Sequence, residues 1–100
     1  MHPDDSLQQI RSQIEKTDEQ IVLLLAERQT LIHNLALIKK AQNIPVVQNN
    51  HWISNFQKRI LQAKELGLSE TNLEKVFDAI HEQSIAYQEI IIQQSEENNL

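Results

Sequence analysis

The chain has 100 residues, which is the size of one small domain, so we predict that residues 1–100 form a single domain. It has no cysteine, which excludes disulfide scaffolds, cysteine-based zinc sites and thiol catalysis. Its formal net charge of −5 disfavours nucleic acid as a partner, because phosphate binding needs a basic surface. A composition with one glycine, two prolines and few aromatic residues favours helices.

The location expected from the sequence is the cytoplasm. The segment Met1–Asp5 has no basic stretch followed by an apolar run, so no signal peptide is predicted. The longest uninterrupted apolar stretch, Ile21–Ala26, is shorter than a bilayer span, so no membrane partner is expected.

The first predicted helix runs from about Ser6 to Ala41. Asp4, Asp5 and Ser6 supply cap and first-turn chemistry, and Asn43 and Pro45 end the helix. Its apolar residues recur every three or four positions, at Leu7, Ile10, Ile14, Ile21, Leu24, Leu25, Leu31, Ile32, Leu35 and Ile38.

Two shorter helices follow a loop at 42–50. The second begins near Asn49 or Asn50 and ends at Gly67, where a left-handed residue is expected. Ser69 caps the third helix, and the polar tail from Ser95 is expected to fray. The predicted fold class is therefore all-α, with three helices per chain and a very long first helix.

The first helix is too long for a compact domain of this size. About 35 residues make a rod of about 50 Å, whereas the radius of gyration of such a domain is about 13 Å. Two short helices leave part of its apolar stripe uncovered. We therefore predict an intertwined homodimer in which a second copy covers the rest.

Three cations accompany this apolar stripe. Arg28 and Lys39 are eleven positions apart, which returns the helix to within about 20° after a rise of about 16 Å. Arg11 lies about 25 Å from Arg28 along the axis, so it could join them only from an antiparallel partner helix. The third helix adds Ser84 and Gln88, one turn apart on its apolar face. Together these residues indicate a polar pocket, lined by cations, that could hold a small molecule.

Each residue alone also has an ordinary structural explanation. A long cation can extend to solvent or pair with a nearby acid, and a buried serine or glutamine can bond to backbone. His81-Glu82 lacks the second histidine of a zinc-protease motif, because Ile85 stands there, so no metal site is predicted. No glycine-rich phosphate loop is present, and no cofactor is expected.

The chain resembles the all-helical chorismate mutases over nearly its whole length. The resemblance rests on Leu7-x-x-Ile10-Arg11-x-x-Ile14-x-x-x-Asp18, Leu23-Leu24-Leu25-Ala26-Glu27-Arg28, Ile38-Lys39, Pro45-Val46, Gly67-Leu68, Val76-Phe77-x-x-Ile80 and Ser84-x-x-x-Gln88. It implies an intertwined dimer with two pockets, which rearranges chorismate to prephenate in the shikimate pathway of aromatic amino acid biosynthesis.

The resemblance also implies roles for the polar residues. Arg28 and the partner subunit's Arg11 would hold the two carboxylates of the substrate, with help from Ser84. Lys39 and Gln88 would be the catalytic pair that hydrogen-bonds the ether oxygen. These residue types suit the chemistry, since preorganised donors stabilise charge that develops as the C–O bond breaks.

The start of the second helix departs from the family. Family members typically have an acid, then an arginine and a glutamate, where this chain has Gln48, His51 and Trp52. An indole only donates hydrogen bonds, so Trp52 cannot accept one from a ring hydroxyl. We include all three as candidate substrate-binding residues, although Trp52 and His51 could equally pack beside Phe56.

Three alternatives therefore accompany the chorismate mutase interpretation. Isochorismate-pyruvate lyases also have a non-acidic residue at the position of Trp52, and aminodeoxychorismate mutases are a further possibility. A non-catalytic helical dimer is the third, and it predicts that replacing Arg11, Arg28 and Lys39 by methionine leaves function unchanged.

Overall fold

The computed structural model describes residues 3–98, and the side chains of 5–98. This part of the chain is all-α, with three helices: α1 over Pro3–Ala41, α2 over Asn49–Glu65 and α3 over Glu70–Asn98. The predicted fold class and helix order are confirmed, including the long first helix. The intertwined homodimer stays a prediction.

Both helix–loop junctions predicted from the sequence end in left-handed residues. Asn43 has φ 55° after α1, and Gly67 has φ 74° after α2. At each junction the left-handed residue and the residue after it donate their amides to carbonyls of the last helical turn. Two of these hydrogen bonds, Ile44 N to Lys39 O and Leu68 N to Ala63 O, are both 2.8 Å long. This hydrogen-bond pattern is the Schellman motif, which satisfies carbonyls that a helix end leaves without partners.

The serine predicted to cap α3 does so. Ser69 Oγ accepts a hydrogen bond from the amide of Asn72 at 3.2 Å, which supplies a partner for one of the first amides of the helix. The amide of Leu73 in turn donates to the Ser69 carbonyl at 3.0 Å, as the first turn of a helix requires.

Two predicted helix ends were wrong. The helix α1 begins at Pro3 rather than near Ser6, because proline is well suited to the first helical position. The helix α3 continues to Asn98, past Ser95, where a frayed tail was expected. Good helix formers such as Glu96 and Glu97 extend it, and Ser95 Oγ accepts a hydrogen bond of 3.1 Å from Lys40 Nζ.

The chain divides into two units between Leu31 and Ile32. In the first unit, the described part is the segment 3–31 of α1, and none of its described side chains is buried. Its exposed large apolar side chains are Leu7, Ile10, Ile14, Ile21, Val22, Leu23, Leu24, Leu25 and Leu31.

The helix α1 also has the length and apolar composition of a membrane span. This similarity is weak evidence for a membrane, because helices in the cores of soluble proteins share it. Glu27 and Arg28 lie within the apolar part of the helix, and charges are costly in a bilayer.

The second unit, residues 32–100, contains the end of α1 together with α2 and α3. Its most buried apolar residues are Ala36, Ala63 and Ile91. The buried polar residues are equally numerous among the described residues: Lys39, Ser84 and Gln88. Polar side chains are therefore as prominent as apolar ones among the buried residues that the structure describes.

Candidate active site

The site is built around Lys39, in the last turn of α1. Its side chain is only 6% exposed, and its ammonium donates two hydrogen bonds: to the Val46 carbonyl at 2.7 Å and to Gln88 Oε1 at 2.9 Å. Both acceptors are neutral oxygens. Burial lowers the pKa of Lys39 below its ordinary value, because the charged form loses solvation.

Gln88 and Ser84 lie one turn apart on α3 and are 4% and 7% exposed. An ammonium can only donate, so Gln88 Oε1 faces Lys39, and Gln88 Nε2 donates to the Ser84 carbonyl at 3.2 Å. The Ser84 hydroxyl donates to the Ile80 carbonyl at 2.8 Å. Hydrogen bonds from α1 and α3 therefore fix the orientation of the Gln88 amide.

This cluster brings together three residues predicted from the sequence: Lys39, Ser84 and Gln88. The buried hydrogen bond between Lys39 and Gln88 joins positions that are 49 residues apart in the chain. The Val46 carbonyl was not predicted, since sequence patterns give little information about which backbone atoms face a side chain.

The two arginines belong to the first unit. Arg11 is exposed there, whereas Arg28 is half-buried. Burial lowers the pKa of Arg28 from its ordinary value, because desolvation disfavours the charged guanidinium. That both arginines contribute to the same pocket as Lys39 stays a prediction.

The residues predicted at the start of α2 lie in three different environments. Gln48 is half-buried at the N-cap, and its side chain makes no capping hydrogen bond. His51 is exposed. Trp52 is half-buried, with its ring 5.2 Å from that of Phe56, so the alternative that Trp52 packs beside Phe56 is confirmed for this residue.

Trp52 also has a ring partner on α3 that the sequence analysis missed. Its indole lies face to face with the imidazole of His81, with centroids 3.8 Å apart and planes 8° from parallel. The available signal was helical spacing, because His81, Ser84 and Gln88 are separated by three and four positions and share a face of α3.

The family follows from comparison with known proteins. The model of the family described as chorismate mutase type II matches residues 10–89. The chain belongs to the chorismate mutase type II family. The matched region contains every residue of the cluster at Lys39, together with both arginines and the altered positions at the start of α2.

Curated proteins include one distant relative of this chorismate mutase family member. The T-protein of Haemophilus influenzae is 27% identical to it over 82 residues, which are 82% of this chain and 22% of that protein. The chain therefore spans about a fifth of the length of this relative. No solved structure matches the chain at a significant level.

Proposed function

We propose that the chain is a chorismate mutase, an isomerase that rearranges chorismate to prephenate in aromatic amino acid biosynthesis. The observation that carries this proposal is the buried ammonium of Lys39, held by two neutral oxygens. A buried cation is costly unless an anion offsets its lost solvation. A dicarboxylate substrate supplies such charge, and family membership supports this choice of substrate.

The proposed chemistry requires no proton transfer and no cofactor. One C–O bond of the ether breaks while one C–C bond forms within the same molecule, so the enzyme must fold the substrate and stabilise charge. Two of the three N–H groups of Lys39 are committed to Val46 and Gln88, which leaves the third for the ether oxygen. Because its orientation is fixed beforehand, the donor needs little reorganisation as charge develops on that oxygen.

The proposed active form is a cytoplasmic homodimer. The exposed apolar side chains of residues 7–31 need a cover, and a second copy offers a surface of the same length and chemistry. In this arrangement the partner subunit's Arg11 completes the pocket. Arg28 and the partner subunit's Arg11 each bind one substrate carboxylate, since guanidinium groups bind carboxylates through two parallel hydrogen bonds.

A side-by-side assay of chorismate, isochorismate and aminodeoxychorismate, with product identification, tests the proposal. We expect prephenate from chorismate, and a higher thermal midpoint when a dicarboxylate mimic of the transition state binds. If the chain neither turns over nor binds any of the three compounds, it is a non-catalytic dimer and the proposal is wrong.

A second candidate is isochorismate-pyruvate lyase, and Trp52 is the observation that favours it. An acid in this position would accept a hydrogen bond from the hydroxyl of chorismate, whereas the Trp52 ring is stacked on His81 and tilted against Phe56. The substrate of the lyase carries its hydroxyl elsewhere on the ring. Release of pyruvate from isochorismate, faster than prephenate formation from chorismate, would establish this alternative.

The pH dependence of kcat/KM tests the charge on Lys39. Burial lowers the pKa of Lys39, and only the protonated form provides a cation for the substrate. We therefore expect kcat/KM to be highest below that lowered pKa and to fall as the pH rises through it. Lys39→Gln should lack this alkaline decline, whereas an unchanged decline in the variant would assign it to another group.

A further inference from the structure

A row of three polar residues runs along one face of α3. His81 and Gln88 are seven positions apart, which returns the helix to within about 20° after a rise of about 10 Å, and Ser84 lies between them. Lys39 donates a hydrogen bond to Gln88 in this row, and the ring of Trp52 stacks on that of His81. His81, which is stacked on Trp52, therefore lies on the same face of α3 as Gln88, about two turns away.

The stack fixes the imidazole of His81. Parallel rings at 3.8 Å are in direct contact, and both residues are half-buried. Stacking covers a face of the imidazole, so its hydrogen bonds are made in the plane of the ring, at its edge. Because the indole of Trp52 belongs to α2, it holds this edge in place against rotation of the histidine side chain.

The edge of an imidazole can make hydrogen bonds that an indole at position 52 cannot make. The resemblance to the family implies that an acid at position 52 accepts a hydrogen bond from the ring hydroxyl of the substrate, and Trp52 cannot. A neutral imidazole carries one donor and one acceptor, and either can pair with a hydroxyl, which also does both. We propose that His81, held by Trp52, is a specificity-determining residue that hydrogen-bonds the ring hydroxyl of the bound dicarboxylate.

This inference rests on the proposed function, and its test uses the full-length chain. The variant His81→Phe keeps a ring to stack on Trp52 and removes both ring nitrogens. We measure kcat/KM for the preferred substrate and for its analogue without the ring hydroxyl. The variant should lose about tenfold on the hydroxylated substrate, which is the range for one hydrogen bond, and less than about twofold on the analogue.

His33→Phe is the matched control. His33 is also half-buried beside an aromatic residue, with its ring 6.4 Å from that of Tyr87 and tilted by 46°. This variant should leave both kcat/KM values unchanged. Equal losses on both compounds in His81→Phe would show that His81 only supports the structure, and no loss on either would show that it takes no part in binding.

The fluorescence of Trp52 gives a second test in the unaltered chain, because Trp52 is its single tryptophan. Saturation with the hydroxylated substrate should change the emission of Trp52, and saturation with the deoxy analogue should change it less. Identical changes would overturn the role of His81 while leaving the proposed function intact. An absence of binding and turnover for both compounds would instead overturn both proposals.

Discussion

Replacing Lys39 by methionine should lower kcat by about two to three orders of magnitude, the usual effect of removing one preorganised donor from a transition state. Methionine keeps most of the length and apolar volume of the lysine stem. It removes the charge and the hydrogen bonds to Val46 and Gln88. Steady-state rates of prephenate formation, with circular dichroism to confirm the helical fold, measure the effect.

Lys40→Met is the matched control for this experiment. Lys40 is the next residue in the same turn of α1, but its ammonium donates to Ser95 Oγ rather than to the cluster at Gln88. We expect its kcat to stay within about twofold of the wild type, since effects on a part-exposed hydrogen bond are small. A similar loss in both variants would mean that Lys39 acts through the stability of α1, which contradicts a catalytic role.

Mixing two inactive variants should restore activity if each pocket takes residues from two subunits. One variant carries Arg11→Ala and the other carries Arg28→Ala with Lys39→Met. In a mixed dimer, one pocket receives Arg28 and Lys39 from the first subunit and an intact Arg11 from the second. Random exchange makes about half of the dimers mixed, each with one intact pocket, so about a quarter of wild-type activity should return.

A second mixture controls for stabilisation by mixing itself. This mixture combines subunits that carry Arg28→Ala with subunits that carry Lys39→Met. Each substitution damages the pocket that takes Arg28 and Lys39 from the substituted chain. Their mixed dimers contain no intact pocket, so the activity should stay near that of the separate variants. Recovery in this control, or none in the first mixture after unfolding and refolding together, would contradict the exchange of Arg11 between subunits.

The three helices and the ends next to the two connections could be predicted because their causes are local. Asn43, Gly67 and Ser69 each act through backbone conformation or a hydrogen bond within a few residues, and the structure contains all three signals. The predicted end of α3 is wrong because polar composition after Ser95 does not by itself cause fraying. Glutamates favour helices despite their polarity, and Lys40 contacts that segment from another helix.

The candidate site was predicted only in part, because some of its contacts join residues that are far apart in the sequence. Lys39, Ser84 and Gln88 stand out because polar residues on an apolar stripe need partners. The contact between Trp52 and His81 joins two helices across 29 positions, and nothing in the local sequence of either residue points to the other. The proposed arrangement of Arg11 and Arg28 involves a second chain, so the sequence of one chain predicts it only through the length of α1.

The hydrogen bond from Lys39 to the Val46 carbonyl limits which substitutions at position 39 can be accepted during evolution. Residues 42–48 have no helix of their own, and one anchor of this connection is the side chain proposed to serve the reaction. Loss of the lysine would therefore disturb the link between α1 and α2 as well as the chemistry. A descendant that abandons the reaction is expected to keep a long donor at position 39, or to rebuild this connection.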